Sequence, residues 1–230
     1  MNINEIAKLA GVSRATVSRY LNQGYVSEEK KKIIRKVIEE TGYQPSSQAQ
    51  MLRTKKTKLV GVILPKIDSN TISREVAGIS DILTKQGYQL ILANTNNSTE
   101  EELKYLSLFR DNQVDGVIFI ATILTKQHKD MLKEYRVPIV LLGQHLEGYP
   151  CIYQDDYKAA MSLTEELVKS GKKFGYITVT DKDEAVGKKR LSGVEEVLKK
   201  NRIELNSDCV KCGSFTLESG YEKTEELFNE

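Results

Sequence analysis

The 230-residue sequence predicts two parts. A small all-α head occupies residues 1–43, and an α/β body with parallel sheets runs over 59–230, with residues 44–58 as the joint. Three observations lead there. In the first 43 residues apolar side chains recur at helical spacing, with breaks at Gly11 and Gly42. From Leu59 onward, short apolar runs alternate with helical patterns, the signature of strands joined by crossover helices. Charge divides at the same point: residues 1–58 carry 12 Lys and Arg against 5 Asp and Glu, a net of +7, and the remainder carries 22 against 27, a net of −5. A basic head on an acidic body implies that the head meets a polyanion.

Within the head, Ile6, Ala7, Leu9 and Ala10 form the apolar stripe of a short first helix. Gly11 follows where the chain must turn with positive φ. Ser13 is placed to cap a second helix, Arg14 to about Asn22, with Val17 and Leu21 facing inward. Arg14, Ala15, Thr16, Ser18 and Arg19 then face outward. A third helix starts at Ser27, where Glu28 and Glu29 complement the helix dipole, and runs through Ile33, Ile34, Val37 and Ile38 to Gly42. Ala7, Gly11 and Val17 have the spacing of a helix-turn-helix, a unit that lays its second helix in the major groove. A plain three-helix bundle fits each position singly. The turn, the two outward arginines and the +7 charge together favour double-stranded DNA.

The body has strand candidates at 59–64, 89–93, 116–121, 139–142, 151–154, 175–179 and 209–214, and helices near 72–87, 99–112, 125–135, 157–170, 186–200 and 218–230. Ligands of such sheets bind at the carboxyl ends of the strands. Asp155 and Asp156 stand where a strand ends and a helix begins, which reads as a helix cap.

Composition excludes much else. Hydrophobic residues make up 40% and charged residues 29%, with mean hydropathy −0.40, ordinary for a globular chain. No apolar run approaches the roughly 18–20 residues that span a bilayer, and Met1 to Lys8 lacks the layout of a signal peptide. A cytoplasmic, nucleoid-associated protein is expected. Cys151, Cys209 and Cys212 are too few for a disulfide framework, and the single Cys209-Val-Lys-Cys212 pair has no second pair to complete a zinc site. His128 and His145 are the two histidines, and no P-loop, GxSxG or HExxH occurs. Neither metal, cofactor nor enzymatic activity is expected.

The run Val12-Ser-Arg-Ala-Thr-Val-Ser-Arg-Tyr-Leu-Asn22, with Tyr43-Gln-Pro45 and Ala49-Gln-Met-Leu52 downstream, closely resembles the lactose-repressor/galactose-repressor family of bacterial transcription regulators. The resemblance implies that Arg14, Ala15 and Arg19 face base edges. It implies that Ser13, Thr16, Ser18 and Ser27 contact phosphates and that Tyr25 lies near the backbone or a base. The chemistry agrees: arginine grips guanine with two hydrogen bonds, alanine touches a thymine methyl, and hydroxyls suit phosphate oxygens. Residues 44–58, polar and basic, read by themselves as a solvated tether. By resemblance they form a hinge helix when two copies meet over DNA, with Ala49 and Leu52 in the minor groove and Leu52 as an apolar wedge. Ser46 and Gln50 stand where the family often has Asn and Arg, so weaker phosphate contacts are expected from this hinge.

For the body the resemblance implies a two-lobed, periplasmic-binding-protein-like sensor that closes around a small sugar or sugar phosphate. The stretch Asp183 to Gly193 carries the match. Arg190 is its expected effector contact, an always-charged fork suited to hydroxyls or an acidic group. A surface salt bridge is the plainer reading of the same arginine. Tyr153, Gln144 and Ser73 are further candidate pocket residues, Tyr153 having core packing as its plain alternative. Residues 69–74 lack the aromatic pair many members have, which implies a smaller or more polar ligand surface. Members usually run roughly a hundred residues further, so the second lobe is expected to be incomplete. The implied function is a homodimeric repressor of sugar uptake or catabolism genes on a palindromic operator, with a sucrose-like sugar as the expected effector. The alternatives are a carbohydrate-binding protein and a sugar-metabolising enzyme with a fused DNA-binding head.

Overall fold

The structure is a computed structural model that describes residues 1–44, 56–111 and 114–229. It divides into two compact units, Met1–Thr57 and Lys58–Glu230.

The first unit holds three helices: α1 (Ile3–Leu9), α2 (Arg14–Leu21) and α3 (Glu28–Thr41). The Asn2 side chain accepts from the Asn4 and Glu5 amides while Glu5 reaches back to the Asn2 amide, a reciprocal cap that starts α1. Ile6, Ala7 and Ala10 point inward and meet Val17, Val26 and Ile34. Leu9 does not: it is exposed, because at 100° per residue it falls off the stripe shared by Ile6, Ala7 and Ala10. Gly11 takes φ +62°, as the turn demands. The hydroxyl of Ser13 accepts from the Thr16 amide and caps α2. Gly42, also left-handed, ends α3.

The second unit contains two parallel sheets. The larger has strands β1 (Leu59–Leu64), β2 (Gln89–Asn94), β3 (Gly116–Ile120), β4 (Ile139–Leu142) and β5 (Cys151–Ile152) in the order β2-β1-β3-β4-β5. Helices α4 (Asn70–Lys85), α5 (Thr99–Asp111) and α6 (Lys126–Lys133) connect them. Because crossover helices cover both faces, β1 is buried almost throughout. One face packs Ile63, Phe119 and Leu141 against Leu106 and Phe109 of α5 and Leu132 of α6. The other packs Val62, Leu64 and Ile120 against Ile72, Val76 and Ile79 of α4.

A polar pair lies inside the first of these cores. His128 Nε2 sits 3.1 Å from Glu102 Oε2, both side chains fully buried, with the imidazole stacked on Phe119. The Thr125 amide donates to His128 Nδ1, which makes Nδ1 the acceptor and leaves the proton on Nε2, facing Glu102.

The smaller lobe pairs β6 (Tyr176–Thr178) with β7 (Val210–Cys212), flanked by α7 (Asp156–Leu167), α8 (Arg190–Lys200) and α9 (Leu217–Phe228). The three strands expected at 151–154, 175–179 and 209–214 are shorter in the structure, two or three residues each. Each stops where its single neighbour stops offering hydrogen bonds. The helix expected over 186–200 is two pieces, a π-helical turn at Glu184–Lys189 and then α8. A wide turn of this kind is common at functional sites.

Candidate functional site: an exposed helix face and a half-cleft around Arg190

On the head, α2 presents Arg14, Ala15 and Arg19 to solvent on the side opposite the buried Val17. Thr16 and Ser18 flank them, half-buried. Ser13 and Thr16 share a 2.9 Å hydroxyl-to-hydroxyl hydrogen bond, so the two groups expected at phosphates are already oriented as a pair. Ser27 stands at the N-terminus of α3 with no cap bond of its own, which leaves its hydroxyl available to an anion. Tyr25 is 92% exposed in the turn before it. The backbone supports this layout: the Gly24 amide closes the end of α2 onto the Arg19 carbonyl at 2.8 Å. Ala49, Leu52 and the hinge positions Ser46 and Gln50 lie outside the described residues.

In the second unit Arg190 begins α8 and lines a cavity of about 120 Å³ with Tyr176, Thr178, Val179, Val186 and Ser214. Of these, Thr178, Val179 and Ser214 lie at or just past the carboxyl ends of β6 and β7, the end where parallel sheets bind ligands. Arg190 Nε donates to Asp156 Oδ1 at 2.6 Å, and Asp156 is buried. The two aspartates read together as a helix cap thus part company. Asp155 caps α7, accepting from the Lys158 amide, while Asp156 turns to Arg190. The Lys158 ammonium and amide beside Asp155 hold its carboxyl below the ordinary carboxylate range.

The other expected pocket residues have partners as well. Tyr153 is half-exposed, outside the core, with its ring edge-on to His145 and under the Lys189 ammonium. Gln144 is buried, and its Nε2 donates at 2.8 Å to both the Thr122 carbonyl and Asp183 Oδ1. Ser73 donates to the Ile67 carbonyl at 2.7 Å, within its own loop. Arg190, Tyr153 and Gln144 are therefore linked through the segment 183–190, whereas Ser73 is tied locally. Sequence reasoning missed the roles of Asp156 and Asp183, because the partners lie 34 and 39 residues away and no local spacing marks them.

Comparison with known proteins agrees with these two units. Residues 2–46 match the model for bacterial regulatory proteins of the lacI family, and residues 57–230 match the model for periplasmic binding proteins and the sugar-binding domain of the LacI family. The sucrose operon repressor of Staphylococcus xylosus is 35% identical over 88% of this chain, which spans 64% of that protein's length. Catabolite control protein A of Priestia megaterium is 34% identical over the whole chain, which spans 70% of it. The solved lac repressor dimer bound to operator and the anti-inducer ONPF superposes with a TM-score of 0.86 at 22% identity, over all of this chain and 70% of that one, a likeness of fold. No helix among the described residues is long and apolar enough to cross a membrane. The chain belongs to the LacI family of bacterial regulatory proteins.

Proposed function

We propose that the chain is a sequence-specific transcriptional repressor that binds a near-palindromic operator as a homodimer and answers to a small carbohydrate. The observation that carries the reading is the exposed Arg14, Ala15 and Arg19 face of α2, within the first 58 residues of net charge +7. That face offers two bidentate donors for guanine and one methyl for thymine, flanked by the hydroxyls of Ser13, Thr16, Ser18 and Ser27 and by Tyr25 for the backbone. Ala49 and Leu52 would enter the minor groove at the centre of the site.

Dimerisation has support in the second unit. Strand β2 is an edge of its sheet, and Ile91 and Leu92 are exposed on its two faces. Helix α4 has no fully buried residue, and its Ile82 is 61% exposed. An apolar edge of this kind invites a second copy, and two-fold symmetry then dictates a palindromic site.

For the effector, Arg190 is the principal contact, with Tyr153, Gln144 and Ser73 on the walls. Asp156 offsets the charge of Arg190 and adds an acceptor, so the pair matches a neutral polyhydroxyl better than a phosphate ester. Similarity to the sucrose operon repressor supports genes of sugar use, sucrose among them, as the target; a DNA partner places the protein in the cytoplasm at the nucleoid. Selection from a random duplex pool tests it. The full chain should enrich a palindrome, and enrichment of no sequence would refute the reading.

A further inference from the structure

The cavity beside Arg190, about 120 Å³, is smaller than the roughly 300–1,000 Å³ of ordinary ligand pockets. All of its lining residues belong to the smaller lobe. The two lobes are linked by a buried hydrogen bond between side chains, beside the contact of the Lys189 ammonium with the Tyr153 ring. Gln144 follows β4 of the larger lobe, and Asp183 precedes the π-helical turn of the smaller one. Gln144 Nε2 donates at 2.8 Å to Thr122 O in its own lobe and at 2.8 Å to Asp183 Oδ1 across the cleft. Asp183 Oδ1 also accepts from the amides of Ala185 (3.1 Å) and Val186 (2.9 Å). One carboxylate oxygen thus gathers three donors, two that cap the wide turn and one from the opposite lobe.

We infer that Gln144 and Asp183 form an interlobe latch, and that the latch sets the position of Arg190 through the turn at Glu184–Lys189. The turn is packed too tightly to move on its own. A Cβ at Gly187 would collide with the Thr180 carbonyl, and the Gly187 carbonyl accepts from the Thr178 hydroxyl at 3.3 Å. The segment therefore moves with Asp183, and Arg190 is the first residue after it. Gln144 is a positioning residue in this scheme. An effector hydroxyl reaches its amide only by displacing Asp183. The role of Arg190 rests on the function proposed above, whereas the latch itself does not.

Hydrogen exchange read by mass spectrometry on the full ligand-free chain separates the two. Gln144→Glu keeps the side-chain volume and sets two carboxyl groups against each other. It should accelerate exchange across 183–190 roughly tenfold, the worth of one hydrogen bond to a charged acceptor. Amides of β1 to β4 should keep wild-type rates. Combining Gln144→Glu with Asp183→Asn restores one donor and one acceptor, and Asn still caps the turn, so exchange should return to within about threefold of wild type. Unchanged exchange in Gln144→Glu would overturn the latch. So would acceleration spread over β1 to β4 that the second substitution fails to reverse, since Gln144 would then serve only its own lobe through Thr122. No sugar binding by the wild-type chain, with the expected acceleration and its reversal observed, would count against the effector site and leave the latch standing.

Discussion

Arg190 Nε donates to Asp156 Oδ1 at 2.6 Å, joining the first residue of α8 to the first residue of α7. Asp156 is buried while the Arg190 side chain remains 42% exposed. The inner member of the pair is thus shielded, and the outer fork is left with donors to spare. Arg190→Ala should abolish any response to neutral sugars while sparing DNA binding. Calorimetry with a panel of neutral sugars, alongside DNA binding, checks this. A retained sugar response would place the pocket elsewhere.

Asp156→Asn should leave the arginine in place and remove the charge that offsets it. Stability should fall by about 1–2 kcal/mol, less than for a fully buried pair because Arg190 stays in contact with water. Affinity for a hexose phosphate should rise relative to the parent hexose. Equal preference in variant and wild type would show that Asp156 does not set ligand charge.

Arg19→Ala should weaken operator binding by about 1–3 kcal/mol and relax preference at one base pair. Binding to a series of single-base operator variants reads both effects. Uniform weakening on every sequence would move Arg19 to the phosphate backbone. Leu52→Ala should reduce DNA bending and specific affinity together, and a bend angle equal to wild type would remove the wedge.

Ile82→Asp places a charge on the exposed apolar face of α4. It should shift sedimentation from dimer to monomer and lower affinity for a palindrome by about tenfold or more, as loss of a central apolar contact does. The intrinsic stability of the subunit should change little, because Ile82 is largely exposed in its own chain. A dimer of wild-type affinity would locate the interface on another surface.

His128→Leu leaves the Glu102 carboxyl buried without its neighbour, at a cost of about 1–3 kcal/mol. Adding Glu102→Leu should recover most of that loss, which chemical denaturation would measure. No recovery would mean that His128 stabilises through packing on Phe119 instead.

The head was legible in the sequence because its determinants are local. Gly11, the Ser13 cap and the spacing of Ala7 and Val17 act within a few residues of one another, so period and cap chemistry were enough. Leu9 was misplaced because a helix of seven residues gives too few turns to define its inner face. The strands of the larger sheet were legible as apolar runs, since both of its faces are covered. The half-cleft was only partly legible. Arg190 stood out by resemblance, but Asp156 reaches it from another helix, and Asp183 meets Gln144 across the lobes. The turn at Glu184–Lys189 was read as ordinary helix, because periodicity does not reveal a ring widened by tertiary contacts at Gly187 and Asp183.

The most direct test of the central claim is the stoichiometry and salt dependence of binding to a selected palindrome, set against a scrambled duplex of equal length. The account predicts two chains per palindrome, at least about a thousandfold preference over the scrambled duplex at physiological salt, and a steep loss of affinity with salt from phosphate neutralisation. One chain per duplex, or equal affinity for both duplexes, would contradict it: the basic head would then be a polyanion-binding patch without sequence reading.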